Sequence, residues 1–265
     1  MIKFLKTAWW VVAFPFVALL FVWSMRRAKK KAKMYRKMPT FMTAEDRYHY
    51  VYKIAKRALF LLRVSVKKDD NFSKISQKPT LMILNHKSNV DPIVLLKILH
   101  ELNMARENKI FYAFLSKIET HKNPKKFVAS TLDLIDTIYI DRQNPRAAYA
   151  AFSEQDKAVK DGKSVIIFIE GTRHFGDEFG EFKSAALKVA FKNLIPIQPI
   201  VIAGSSGLMD SNKTNKRNKR TVYIETLPAV KPSEFMNTSE DFVCNKIKKE
   251  MQKTYDNLIK KNFKK

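Results

Sequence analysis

The chain has 265 residues, 46% of them hydrophobic, enough for one ample domain with an appendage. Its 50 lysines and arginines against 25 acidic residues give a formal net charge of +25, which calls for a polyanionic neighbour, either nucleic acid or an anionic membrane. The single cysteine, Cys244, excludes an internal disulfide and fits a reducing compartment.

The N-terminus decides between the two polyanions. Residues 8–24 are uncharged and nearly all apolar. As a helix rising about 1.5 Å per residue they reach roughly 25 Å, the short end of a bilayer core. Trp9, Trp10 and Trp23 mark the two ends, where interfacial aromatics belong. No small-x-small cleavage site follows, which argues for a retained anchor over residues 1–37 and against a signal peptide. Behind it, Arg26, Arg27, Lys29, Lys30, Lys31, Lys33, Arg36 and Lys37 outweigh Lys3 and Lys6 on the other flank. The remainder of the chain is therefore expected on the cytoplasmic side of the cell membrane, with anionic phospholipid and no nucleic acid as partner. Pro15 can kink the segment, so crossing the bilayer and entering one leaflet both stay open.

Thr43 with Asp46 signals a helix start. Residues 44–66 then set Tyr48, Tyr52, Ala55, Leu59 and Leu62 against Arg47, Lys53, Lys56, Arg57 and Arg63. Such an amphipathic helix either lies on the membrane or packs its apolar face on the domain. Residues 67–78 are polar and read as a linker, so a segment 38–78 precedes a main domain over 79–265.

From Thr80 onward, short apolar runs alternate with helical stretches. Strands are expected at 81–84, 110–114, 137–140, 165–169, 197–202 and 222–226. Helices are expected near 92–102, 124–132, 145–160 and 184–194. Asn144-Pro145 opens one helix and Gly162 closes it, as capping preferences require. The alternation implies an α/β domain, a mixed and largely parallel sheet flanked by helices, with its site at the carboxyl ends of strands. Residues 210–220 form a basic loop, and the lysine-rich tail from Ser233 carries a stripe of Phe242, Ile247, Met251 and Leu258 for core contact. No metal-ligand spacing, internal repeat or glycine-rich phosphate loop is found.

The chemistry concentrates at residues 85–91, Asn-His-Lys-Ser-Asn-Val-Asp, directly after the first of these strands. Asp91-Pro92 reads as N-cap and first helical residue, which leaves His86 and Asp91 in a strand-to-helix connection. There the carboxylate can hold one imidazole nitrogen while the other takes a proton from a substrate hydroxyl.

Asn85, His86, Ser88 and Asp91 match the Asn-His-x-Ser-x-x-Asp motif of the glycerophospholipid acyltransferase family. Ile138-Tyr139-Ile140-Asp141-Arg142 resembles its second block, with Asp136 where the family has glycine. Ile167-Phe168-Ile169-Glu170-Gly171-Thr172-Arg173 resembles the third, Ile169 replacing proline, and Phe182-Lys183 matches a Phe-Lys pair beyond it. Ile195-Pro196-Ile197-Gln198-Pro199-Ile200 resembles the fourth, and the four blocks span roughly residues 75–230.

The resemblance implies fatty acyl transfer from acyl-CoA or acyl carrier protein to a glycerol hydroxyl, without a further cofactor. The first-choice acceptor is the sn-2 hydroxyl of 1-acylglycerol-3-phosphate (lysophosphatidate), giving phosphatidate. Glycerol-3-phosphate or another lysophospholipid is the sister reading, and a catalytically decayed polyanion-binding scaffold is the reading from another class. His86 is implied as general base and Asp91 as its orienting carboxylate, with Asn85 and Ser88 supporting the motif. Arg142, Arg173 and Lys183 are implied as phosphate ligands, because guanidinium matches phosphate bidentately. Glu170, Gly171 and Thr172 are implied to shape the acceptor site, Glu170 by binding a glycerol hydroxyl or holding an arginine.

Overall fold

The computed structural model describes residues 2–122, 128–209 and 220–263. In chain order the elements are α1 (Ile2–Lys37), α2 (Ala44–Leu61), β1 (Ser65–Lys68), β2 (Leu81–Leu84), α3 (Asp91–Met104), β3 (Tyr112–Lys117), α4 (Ile118–Lys122), α5 (Val128–Asp133), β4 (Ile138–Ile140), α6 (Pro145–Lys160), β5 (Ser164–Phe168), α7 (Lys188–Asn193), β6 (Ile197–Ala203), β7 (Thr221–Thr226), α8 (Pro232–Phe235) and α9 (Glu240–Phe263). The described strands form one sheet in the order β1-β7-β6-β2-β5-β3-β4. Every described pairing between strands is parallel except β6 with β7, so the sheet is mixed and largely parallel as expected.

β2 lies near the middle and is buried on both faces, which is why it reads as an unbroken apolar run. Side chains alternate across a strand, so Met82 and Leu84 join one core and Leu81 and Ile83 the other. The first core takes Met25 and Ala28 from α1, Val51 and Ile54 from α2, and Val94 and Ile98 from α3. The second takes Ala151 from α6, Val189 from α7, and Ile247, Met251 and Tyr255 from α9. The sheet therefore separates the N-terminal helices from the C-terminal one.

α1 continues without interruption through Pro15, and its 36 residues reach about 54 Å. Among the described residues it supplies the one helix long and apolar enough to cross a membrane, by length and composition. It runs antiparallel to α2. The Trp10 indole donates to the Phe60 carbonyl at 2.9 Å, the Arg63 guanidinium lies over the Trp10 ring, and the Tyr50 hydroxyl donates to the Ser24 carbonyl at 2.7 Å. Trp9, Val12, Phe16, Leu19 and Trp23 remain exposed. α2 buries Tyr48, Val51, Ile54, Ala55 and Leu59. Its apolar face thus packs on the domain, and the alternative of that face lying on a membrane is corrected.

The stretch read as the end of an amphipathic helix and a linker supplies β1, which pairs in parallel with β7 from Ser65↔Thr221 to Lys68↔Ile224. An edge strand with lysines on it carries little apolar alternation to read. β3 starts two residues later than expected because the Asn103 side chain bonds the Ile110 carbonyl and N–H, withdrawing Ile110 from the ladder. α6 begins where Asn144-Pro145 placed it, the Asn144 side chain accepting from the N–H groups of Arg146 and Ala147. The helix expected at 184–194 divides into a 3-10 turn, Ser184–Leu187, and α7. Of the C-terminal stripe, Ile247, Met251 and Leu258 are buried, whereas Phe242 is 62% exposed. Residues 124–127 of one expected helix and 210–219 of the basic loop lie outside the described residues.

Asp136, where the resembling family has glycine, adopts φ +53°. Its carboxylate accepts from the Arg47 guanidinium at 2.8 Å, the Lys163 ammonium at 3.0 Å and the Tyr35 hydroxyl at 3.2 Å. Burial pushes this carboxyl up, but Arg47 and Lys163 outweigh it and hold the group below its ordinary range. One side chain thereby ties α1 and α2 to the turn that leads into β4.

Candidate active site

The site forms where β2 and β5 end side by side. Their parallel register pairs Leu84 with Phe168, which carries His86 and Glu170 to corresponding positions two residues past the strand ends. Asn85 continues the sheet with its side chain, donating to the Ile202 carbonyl at 2.9 Å and accepting from the Ile202 N–H at 2.8 Å. The residue before the histidine is thus locked to β6, and His86 leaves the sheet in one direction.

His86 Nδ1 lies 2.8 Å from Asp91 Oδ2. The same oxygen accepts from the backbone N–H groups of Lys87 at 2.7 Å and Ser88 at 2.8 Å. An oxygen held as acceptor by two amides is an acceptor toward the imidazole too, so Nδ1 carries the proton and Nε2 remains the basic nitrogen. Asp91 is fully buried and begins α3 itself, with Val90 at the N-cap making no side-chain cap. The expected N-cap role is therefore corrected: the carboxylate folds back on the histidine loop. The imidazole stacks on the Phe168 ring at 4.4 Å between centroids, and its side chain keeps 18% exposure, enough for a substrate to reach it.

Glu170 is 5% exposed and commits both oxygens to backbone donors, Oε1 to the His86 N–H at 2.7 Å and Oε2 to the Gly180 N–H at 2.8 Å. In this structure Glu170 braces the histidine loop. His174 adds a second tie, its N–H donating to the His86 carbonyl at 2.9 Å. Gly171 takes φ +68°, and the Arg142 guanidinium lies against it, donating to its carbonyl at 2.7 Å. A Cβ there would meet Arg142 Nη1 at 2.5 Å, so the close approach requires glycine. Thr172 and Arg173 are exposed on the same loop, the Arg173 guanidinium 5.7 Å from the Phe175 ring. Lys183 is exposed and paired with Glu181 at 2.5 Å. Ser88 is buried, and its carbonyl accepts from the Asp91 N–H at 3.1 Å.

The fold thus brings His86, Asp91, Asn85, Ser88 and Glu170 into one bonded group and sets Arg142 against Gly171, two residues from Arg173. Sequence reasoning assigned no role to Phe168, although it stood in a quoted block at a strand end. It also passed over Gly180, where an added Cβ would meet the His174 ring at 2.8 Å; no local signal marks that residue. The other histidines lie elsewhere. His49 and His100 face one another at 3.1 Å between α2 and α3, and His121 lies 3.3 Å from Asp133.

A hydroxyl placed at Nε2 could be deprotonated as it attacks a carbonyl, with Asp91 stabilising the imidazolium that forms. The comparisons point to acyl transfer. The Acyltransferase family model matches residues 63–203. A protein of Mycoplasma genitalium named probable 1-acyl-sn-glycerol-3-phosphate acyltransferase is 36% identical over 217 residues, covering 82% of this chain and 76% of that one. A protein of Mycoplasma pneumoniae with the same name is 31% identical over 261 residues, covering 96% and 93%. The crystal structure of the 1-acyl-sn-glycerophosphate acyltransferase PlsC of Thermotoga maritima shares the fold, with a TM-score of 0.66 at 20% identity over 97% of this chain and 98% of that one. With more than half of its length matched by the family model, this chain belongs to the acyltransferase family.

Proposed function

We propose that this acyltransferase moves a fatty acyl group from a thioester to the sn-2 hydroxyl of 1-acylglycerol-3-phosphate, yielding phosphatidate. The observation that carries the reading is the His86–Asp91 pair at 2.8 Å, pinned by two backbone amides at the carboxyl end of β2. The names of the two Mycoplasma relatives support the choice of acceptor. Nε2 of His86 takes the proton of the sn-2 hydroxyl as its oxygen bonds to the thioester carbonyl carbon. The tetrahedral intermediate collapses with loss of the thiolate, which receives that proton from the imidazolium. Arg142 and Arg173 flank Gly171 and bind the phosphomonoester; the donor is acyl-CoA or acyl carrier protein. The apolar α1 supports membrane association, and the basic residues from Arg26 to Lys37 favour the cytoplasmic leaflet.

The test is an assay of purified protein in anionic vesicles against lysophosphatidate, glycerol-3-phosphate and lysophospholipids with diester head groups. Both thioester donors are supplied and products are read by mass. Lysophosphatidate should give the highest kcat/KM. Arg173→Ala should lower that value about 30- to 100-fold, the worth of charge-assisted hydrogen bonds, and Arg173→Lys should recover only part. Diester acceptors should start lower and fall less. Equal losses on monoester and diester acceptors would remove the phosphomonoester from the reading.

A further inference from the structure

Lys87, between the catalytic histidine and Ser88, is among the most buried side chains of the protein, at 1% exposure. Its ammonium donates to the Glu178 carbonyl at 2.7 Å and lies 4.9 Å from the Phe179 ring centroid and 5.2 Å from that of Tyr255 on α9. The 177–179 segment is also held from α9, since the Gln252 side chain accepts from the Phe179 N–H at 2.8 Å and donates to the Asp177 carbonyl at 3.1 Å. Gly180, next along, binds the same Glu170 carboxylate that holds the His86 N–H. The base loop, the Glu170 loop, the 177–180 segment and α9 therefore meet at one buried cation.

An apolar side chain would fill this space at lower desolvation cost, so the ammonium calls for a reason. It is compensated by a carbonyl and two aromatic faces. Glu170, Asp177 and Asp91 are the carboxylates that act on it; His86, Arg173, His174 and Glu178 are the other titratable groups along these loops, and Tyr255 faces it from α9. Burial pushes the Lys87 ammonium below the ordinary lysine range, and those three carboxylates oppose the shift.

We propose that Lys87 is a positioning residue for acyl transfer: its buried ammonium clamps the 177–180 segment to the histidine loop and balances the carboxylates that hold His86. The inference rests on His86 acting as general base. Loss of the cation would loosen Nε2 against the Glu170 loop and leave Asp91 and Glu170 uncompensated, so the imidazole would protonate more readily.

The experiment compares wild type with Lys87→Met, Lys87→Arg and Phe179→Leu in vesicles, measuring thermal unfolding, kcat, KM and the pH dependence of kcat/KM. Lys87→Met should lower kcat about 10- to 100-fold, the effect of misplacing a reacting group, with KM little changed. Its acid limb should move up by roughly 0.5 to 1 pH unit, and Lys87→Arg should bring the limb back. Phe179→Leu keeps the charge and removes one ring face, so it should lower kcat without moving the limb. If Lys87→Met does not fold, Phe179→Leu decides the clamp: wild-type kcat there would overturn it. A folded Lys87→Met with an unshifted acid limb would also overturn the proposal, whatever its stability. Absence of acyl transfer by the wild type to any acceptor would instead overturn the function on which the proposal rests.

Discussion

Replacing Asp91 by asparagine separates the two services that a carboxylate renders to a histidine, orientation and charge. In many such pairs the amide flips and the imidazole is left in the wrong tautomer, at a loss near 10⁴-fold in kcat. Here Oδ2 accepts from the Lys87 and Ser88 N–H groups at 2.7 and 2.8 Å. An amide nitrogen at that position would face two donors, so the asparagine oxygen must take it. Nδ1 of His86 then still meets an acceptor, and only the carboxylate charge is lost. Unit charges about 4 Å apart at an effective dielectric near 20 attract by roughly 4 kcal/mol, of which an amide dipole recovers part. The net loss of about 2–4 kcal/mol corresponds to roughly 30- to 1,000-fold in kcat. Asp91→Ala, which removes orientation as well, should approach 10⁴-fold. The amide nitrogen would occupy the Oδ1 position, buried and without a hydrogen-bond partner among the described residues. An unsatisfied buried donor costs about 1–3 kcal/mol, so Asp91→Asn should melt some 2–10 °C lower. Single-turnover kinetics with lysophosphatidate and calorimetry on the same samples measure both numbers. An asparagine variant as slow as the alanine variant would refute the pinned oxygen; one within tenfold of wild type would refute the electrostatic role of Asp91.

Gly171→Ala should expel the Arg142 guanidinium, because the new Cβ would lie 2.5 Å from Nη1 on a backbone at φ +68°; kcat/KM for lysophosphatidate should fall at least about 10-fold, and a double-mutant cycle with Arg142→Ala should show strong non-additivity. Asp136 has its carboxyl held below the ordinary value, so its stabilisation is present above about pH 4 and is lost as pH falls through the folded value. Asp136→Asn should therefore lower unfolding free energy by about 2–4 kcal/mol at pH 7, and the gap between variant and wild type in urea titrations should close toward acid; a gap independent of pH would assign it to packing. Deleting residues 1–22 removes most of the exposed apolar face of α1 and spares the buried Ser24, Met25, Ala28 and Ala32. The truncated protein should leave anionic vesicles in salt, and retention through salt and alkaline wash would place the main anchor elsewhere.

Legibility followed the range of the forces that shape each element. β2 spans Leu81–Leu84 and α6 spans Pro145–Lys160, both as read from local pattern, because an apolar run between polar neighbours and an Asn-Pro helix start act within a few residues. β1 falls across the expected end of the amphipathic helix and the start of the linker, because Ser65–Lys68 is mostly exposed and becomes a strand only through β7, more than 150 residues downstream. The direction in which α2 turns its apolar face was open in the sequence. Packing against α1 and α3 settled it.

The same division runs through the site. The sequence by itself determined the pairing of His86 with Asp91, since they lie five residues apart in one short connection and no distant segment is needed to join them. It also determined the apolar N-terminal helix and its basic flank, which are properties of composition. Only the tertiary structure decided that Glu170 braces the His86 loop, that Arg142 rests on Gly171, and that the Lys87 ammonium is buried between Phe179 and Tyr255. Those partners lie tens to more than a hundred residues apart in the chain. They meet because β5 pairs with β2 at the register Leu84↔Phe168 and because α9 packs across the opposite face of the sheet. Pairing and packing over such separations leave no local pattern in the residues that they bring together.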